Sequence, residues 1–188
     1  MIRDLILKNR SYRRYHQNVR IDRDTLVELV DLARLSPTAR NAQSLKYYLS
    51  TDATLNATIF PRLSWAGYLT DWDGPIEGER PAAYIVVLND TTIASNYFCD
   101  EGIASQSILL GAVEKGFGGC IVASIDRRAL HEDLNLPAQL QIVHVIALGK
   151  PKEEVVLEPI HGNDIKYWRD RDQKHHVPKR GLDEIIIH

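Results

Sequence analysis

Three short segments of this chain carry residue types that do chemistry together. The first is Arg10-Ser11-Tyr12-Arg13-Arg14-Tyr15. Its guanidinium forks and hydroxyl can hold a phosphate, because planar arginine donors match phosphate oxygens in bidentate fashion. The second is Ser36-Pro37-Thr38-Ala39-Arg40-Asn41-Ala42-Gln43. This is a tight polar turn, and the Asn41 amide offers both donors and an acceptor to a flat ring with alternating carbonyl and N–H groups. The third, Val177-Pro178-Lys179-Arg180, returns positive charge near the end of the chain. Two separated cationic segments with a polar turn between them point to a phosphorylated ring cofactor. Each segment alone also has a plainer reading. Cations favour a helix C-terminus, Pro and Asn are turn formers at a helix exit, and Lys-Arg can be a solvated pair.

Other candidates carry less. Gly116-Phe117-Gly118-Gly119 lets backbone approach a ligand, yet it follows a helix and enters a strand. A dinucleotide fingerprint needs the reverse order. His175 and His176 are adjacent, so they do not converge readily on one metal ion. They read as a surface pair or as support for a neighbouring site. No Ser-His-Asp signature or paired-carboxylate motif stands out, so the chemistry rests on a cofactor and no catalytic side chain is named.

The elements that must position these segments follow from periodicity. Ile2, Leu5 and Ile6 fall on one face of a short helix over Ile2–Asn9. Asp22 or Asp24 can cap a second helix, in which Leu26, Leu29, Val30 and Ala33 recur at helical spacing until Pro37. Leu45–Ser50 reads as a strand and Thr54–Ile59 as a helical turn or two. Ala82–Leu88 is a near-continuous apolar run, as in a strand buried on both faces. Asn96–Lys115 is the longest predicted helix. It is apolar almost all round, which places it centrally or in a subunit interface, and Gly116 stops it. Strands follow at Cys120–Ala123 and Gln141–Leu148, around a helix over Arg127–Leu134 capped by Asp126. Phe60–Pro81 is loop-rich, and its Trp65, Tyr68 and Trp72 serve either as a lid or as packing. The tail from Pro151 to His188 breaks periodicity. It is either disordered or docked, and Tyr167, Trp168 and Ile185–Ile187 favour docking across a partner subunit.

Composition sets the bounds. The 188 residues fit one domain with a real core. The net charge of -2 does not favour nucleic acid. No apolar run suggests a signal peptide or a membrane span, so a cytoplasmic protein is expected. Cys99 and Cys120 lack metal-ligand spacing, and reduced thiols are expected.

In their order and spacing, these segments resemble the nitroreductase family of flavin enzymes. The resemblance runs from Arg10-Ser11-Tyr12-Arg13, through Ser36 to Gln43, Ala104-Ser105-Gln106-Ser107-Ile108-Leu109-Leu110-Gly111-Ala112 and Gly116-Phe117-Gly118-Gly119-Cys120. It continues through Ala147-Leu148-Gly149-Lys150-Pro151 to Val177-Pro178-Lys179-Arg180. It implies an α+β, three-layer fold with a central mixed, mainly antiparallel sheet flanked by helices. It also implies an intertwined homodimer with the tail wrapped on the partner, and one FMN per subunit at the interface. Arg10, Ser11 and Arg13 then take the phosphate and ribityl positions, and Lys179 and Arg180 complete the clamp. Pro37, Thr38 and Asn41 face the ring from the other subunit. Gly118 and Gly119 offer backbone N–H groups near the ring's reactive nitrogen. The implied activity moves electrons from NADH or NADPH to a small acceptor of nitroaromatic, quinone or enone type. A non-catalytic FMN carrier or sensor would use the same clamp. Ser44 stands where the family usually has Pro, and Thr38 where Ser is commoner.

Overall fold

The computed structural model describes residues 1–187. Its centre is a four-stranded antiparallel sheet of β1 (Leu45–Ser50), β2 (Ala83–Asp90), β3 (Gly118–Val122) and β4 (Leu140–Gly149), in the order β1-β2-β4-β3. The two central strands explain the apolar runs. On β2, Tyr84, Val86 and Leu88 face one apolar layer, while Ala83, Ile85 and Val87 face the other. Both faces are covered, so the sequence carries no polar alternation. The register slips between Val87 and Leu88, opposite His144 and Ile142, as a β-bulge allows.

One covering layer is made by α2 (Arg23–Leu35) and α4 (Asp100–Glu114). Asp22 caps α2 by accepting from the Thr25 amide at 2.7 Å. Leu26, Leu29 and Ala33 are its buried face. Gly111 lets α4 approach α2 closely, since a Cβ there would meet Leu29 Cδ2 at 3.0 Å. The long helix begins at Asp100, four residues later than its periodicity predicts. Phe98 has a φ of 52° and its amide donates to Asn96 Oδ1, a local turn that competes with helix. The short α1 (Ile2–Lys8) lies near α4, and Asn9 Nδ2 donates to Gln106 Oε1 at 3.3 Å. The opposite layer holds α3 (Ala53–Ile59), α5 (Arg127–Asp133) and the Phe60–Trp65 segment.

The tail is ordered into a second sheet of β5 (Val155–Pro159), β6 (Trp168–Arg169) and β7 (His175–Lys179), in the order β5-β7-β6. β5 and β7 run parallel, so this sheet carries the parallel strand pair of the fold. Its aromatics reach the chain's own body, with Tyr167 packed 4.9 Å from Tyr68 between ring centroids. After β7 comes α6 (Leu182–Ile185), which has no buried residue. No helix among the described residues is long and apolar enough to cross a membrane.

Candidate functional site

The cationic segment lies along the start of β3. Ser11 bridges Gly119 in parallel, and the Tyr12 amide donates to the Gly119 carbonyl at 3.1 Å. Arg10 caps the end of α1, with Nε donating to the Asn9 carbonyl at 2.6 Å and Nη2 to the Ile6 carbonyl at 2.8 Å. Arg13 Nη1 donates to the Ser11 carbonyl at 3.2 Å, and the guanidinium lies 4.8 Å over the Tyr167 ring. Neither guanidinium forms an ion pair with a carboxylate among the described residues. Two uncompensated cations therefore share one turn, and an anion is the chemistry that suits them.

The glycines beside this turn have a packing reason. A Cβ on Gly118 would sit 2.5 Å from Tyr12 Cδ2 and 2.8 Å from Pro151 Cγ. On Gly119 it would meet the Ala147 carbonyl oxygen at 2.7 Å. Their missing side chains let the cationic segment and β4 close on β3.

The neighbouring carboxylates serve the backbone and other cations. Glu79 accepts from Arg14 through Nε at 2.6 Å and Nη2 at 2.7 Å, and Lys152 Nζ is 2.9 Å away. The Arg14 contact first, then Lys152, holds the Glu79 carboxyl down at about 2. Glu153 is fully buried and pairs with Arg169 at 2.8 Å. Its Oε1 accepts the backbone N–H groups of both Arg13 and Arg14.

His175 completes this cluster. It is 1% exposed, which corrects the surface reading of the histidine pair. Its Nε2 lies 3.3 Å from Arg13 Nη1, so that nitrogen is an acceptor. Burial, then the Arg13 and Arg169 charges, push its pKa down to about 4. His176 points the other way, between Glu158 at 3.1 Å and Asp170 at 3.3 Å, and stacks on Trp168. No group of three or more metal-ligating side chains occurs among the described residues.

The polar turn forms a second patch. Its left-handed residues, Arg40, Asn41 and Gln43, have φ of 55°, 53° and 54°. Such a run is strained unless the surroundings hold it. The buried Asp100 carboxylate supplies the hold by accepting the Ala39 amide at 2.8 Å. Pro37 and Asn41 are exposed. The Thr38 hydroxyl is buried without a partner. Thr38 lines a small cavity of about 80 Å³ with Pro37, Gln43 and Asp100.

Lys179 ends β7 and Arg180 follows it, the latter paired with Glu184 at 2.9 Å on the surface. Lys179 lies four residue steps along extended strand from His175, roughly 13 Å at the usual rise. The chain thus gathers Arg10, Ser11, Arg13, Gly118 and Gly119 in one patch and Pro37, Thr38 and Asn41 in another. No side-chain hydrogen bond or ion pair joins Lys179 or Arg180 to either patch among the described residues. Spacing offered no signal for Glu79, Glu153, Arg169 or Tyr167, whose roles arise from contacts distant in sequence.

Of the three loop aromatics, Trp65 is core, 8% exposed and packed with Phe60. Trp72 lies under the Arg169 guanidinium at 4.2 Å. Tyr68 remains exposed.

The described donors fit an FMN. The acid-free arginine pair suits a phosphate, and the exposed, held-open Asn41 amide suits a polar ring edge.

The architecture recurs in solved proteins. A nitroreductase family protein from Streptococcus pneumoniae TIGR4 superposes with a TM-score of 0.71 at 16% identity, covering 100% of both chains. An FMN-dependent nitroreductase from Clostridium difficile R20291 gives 0.67 at 20% identity, covering 100% of this chain and 98% of that one. A nitroreductase family protein from Clostridium novyi NT gives 0.66 at 24% identity, covering 81% and 87%. These likenesses establish the fold. No curated protein matches the chain. The family model described as "Nitroreductase family" matches residues 6–67 and 78–150. The interval it skips lies inside the loop-rich Phe60–Pro81 stretch, and the match stops where the tail begins. On these grounds the chain belongs to the nitroreductase family.

Proposed function

We propose that this protein is an FMN-dependent oxidoreductase that passes reducing equivalents from NADH or NADPH to a small acceptor. The observation that carries this reading is the pair of side chains, Arg10 and Arg13, that have no carboxylate partner among the described residues and lie on a turn laid against Gly118 and Gly119 on a nitroreductase scaffold. FMN bound there would supply hydride and electron transfer, with donor and nitroaromatic, quinone or enone acceptor using one pocket in turn, a ping-pong order. Arg10 and Arg13, with Lys179 and Arg180, hold the phosphate, and Ser11 serves the ribityl chain. Gly118 and Gly119 present backbone to the ring. Pro37, Thr38 and Asn41 meet the ring edge from a second subunit.

A homodimer accounts for what one chain leaves open. Ile103, Leu110 and Val113 stay half-exposed along α4. On α1, Ile2 is 61% and Leu7 49% exposed. Leu182 and Ile187, near the chain end, are 71% and 88% exposed, as expected of a segment that wraps on a partner. A single symmetric mass of two chains by light scattering is the expected result, and a monomer at all concentrations contradicts it.

The deciding experiment is an anaerobic visible spectrum before and after NADH, then NADPH. Bleaching of a yellow protein by either nucleotide supports the reductase. Yellow protein that neither bleaches is a carrier or sensor. Protein that cannot be loaded with FMN refutes the cofactor.

Two sets of variants map the site. Arg10→Ala and Arg180→Ala should each raise the FMN dissociation constant roughly tenfold or more, since a charged hydrogen bond contributes about 1.5–3 kcal/mol. Unchanged affinity in both would remove the phosphate assignment. Asn41→Gly tolerates the left-handed backbone and removes the whole side chain, amide included. It should leave dimer mass unchanged and shift FMN affinity or potential; with neither changed, Asn41 is only a turn residue.

A further inference from the structure

The backbone of the Arg10–Arg14 segment is held at two places, by the Gly119 carbonyl, which takes the Tyr12 amide, and by one buried carboxylate. Glu153 Oε1 takes the backbone N–H groups of Arg13 and Arg14, the latter at 3.2 Å. Its Oε2 takes Arg169 Nη2 at 2.8 Å from β6. The Glu153 side chain is 0% exposed and that of Arg169 8%. Two further contacts join the same partners. The Arg13 guanidinium lies on Tyr167, and its Nη1 reaches His175 on β7. Body and tail therefore meet at one charged junction. The neighbouring Lys152 amide adds a backbone bond to the Arg14 carbonyl at 2.9 Å.

We propose that Glu153 is a positioning residue for the cationic segment, and that through Arg169 it makes anion binding at Arg10–Arg13 and docking of the tail sheet one linked equilibrium. The proposal rests on the reading of Arg10–Arg13 as a phosphate site and adds how that site is held. The physical basis is reciprocity. A ligand that favours one arrangement of the segment must favour the tail position that arrangement requires, by the same factor. A charge-free junction of similar volume would still pack, but it would no longer dictate where the Arg13 and Arg14 amides point.

The test compares wild-type protein with the double substitution Glu153→Leu/Arg169→Met, which removes both charges together and leaves neither buried alone. Glu153→Gln is the companion that keeps an acceptor oxygen for the two amides while leaving the Arg169 charge without its carboxylate. Three quantities are read on the full chain: FMN affinity by fluorescence titration, amide exchange at Arg13 and Arg14, and tryptic cleavage after Lys166, Arg171 and Lys174 with and without FMN. In wild-type protein FMN should slow cleavage of the tail. In the folded double variant, exchange at Arg13 and Arg14 should accelerate at least tenfold, FMN affinity should fall at least tenfold, and FMN should no longer protect the tail. Glu153→Gln should retain most amide protection and most affinity. A merely structural role would lower thermal stability in both variants while leaving FMN affinity and FMN-dependent protection at wild-type values, and that result overturns the proposal. If the double variant does not fold, Glu153→Gln decides: wild-type affinity with lost amide protection, or the reverse, also overturns it. Failure of wild-type protein to bind FMN is a different outcome, which refutes the cofactor reading itself and the proposal with it.

Discussion

Arg169→Met is expected to cost about 3–5 kcal/mol of unfolding free energy, because it leaves a buried carboxylate without its counter-charge. Glu153 is fully buried, and Arg169 provides its ion pair. The two backbone donors from Arg13 and Arg14 remain, yet hydrogen bonds alone do not replace a guanidinium in a desolvated site. Methionine also removes the guanidinium that lies 4.2 Å over the Trp72 ring, so loss of that cation–π contact adds to the electrostatic loss. Urea unfolding should show a lower midpoint with an unchanged slope. The contrast is Arg180→Ala, which deletes a pair whose partners are 41% and 39% exposed and should cost almost nothing in stability. An Arg169→Met midpoint close to wild type would mean that water reaches Glu153 when its partner is removed.

The second large effect is acid sensitivity from two buried histidines. His144 is 5% exposed, and its Nε2 is hydrogen-bonded to the Ser105 hydroxyl at 2.7 Å. Burial, then the Arg127 charge, push its pKa down to about 4. His175 is pushed down to about 4 as well. Both rings are neutral in the fold and protonate readily once unfolded, near 6.5. The unfolded chain therefore binds more protons between those values, so stability rises with pH across that window. It is fully present above about pH 6.5 and is lost as pH falls towards about 4, by on the order of 3 kcal/mol per ring. Glu79 adds its own loss as pH falls from about 4.5, its unfolded value, through about 2, its value in the fold. Melting temperatures from pH 7 to pH 4 should fall steeply, and His144→Gln, which keeps a polar partner for Ser105, should make the fall shallower. A flat profile in wild-type protein would show that both rings are accessible to protons.

Local patterns accounted for much of the framework. Asp126, and Asp22 as one of two candidates with Asp24, were legible as caps because an N-cap needs only a short side chain and the next turn. β1 falls at Leu45–Ser50, as predicted, and β2 was visible as an apolar run because both of its faces are covered. The start of α4 was misplaced because the Asn96–Phe98 turn is a side-chain-to-backbone bond that no apolar period reports. The tail strands were missed for a related reason. β5 and β7 pair in parallel across an intervening loop and β6, and their alternation is interrupted by Pro159, Pro178 and the two histidines. The candidate site divides the same way. Arg10, Arg13, Asn41 and Lys179 could be picked out by residue type. Glu79 and Glu153 could not, because a buried charge has meaning only with the partner that compensates it, while the sequence left open whether His175 lies at the surface or supports a neighbouring site.

The sequence by itself determined most secondary elements before the tail, the apolar seams that must be covered, and a family whose segments follow in order. These rest on interactions within a few residues, or on repeating patterns along them. Only the tertiary structure decided which cations are free and which are spent. Arg14 and Arg169 are neutralised by carboxylates far away in the chain, while Arg10 and Arg13 are not. Charge is a property of a residue, but uncompensated charge is a property of the space around it, and that space is made by folding.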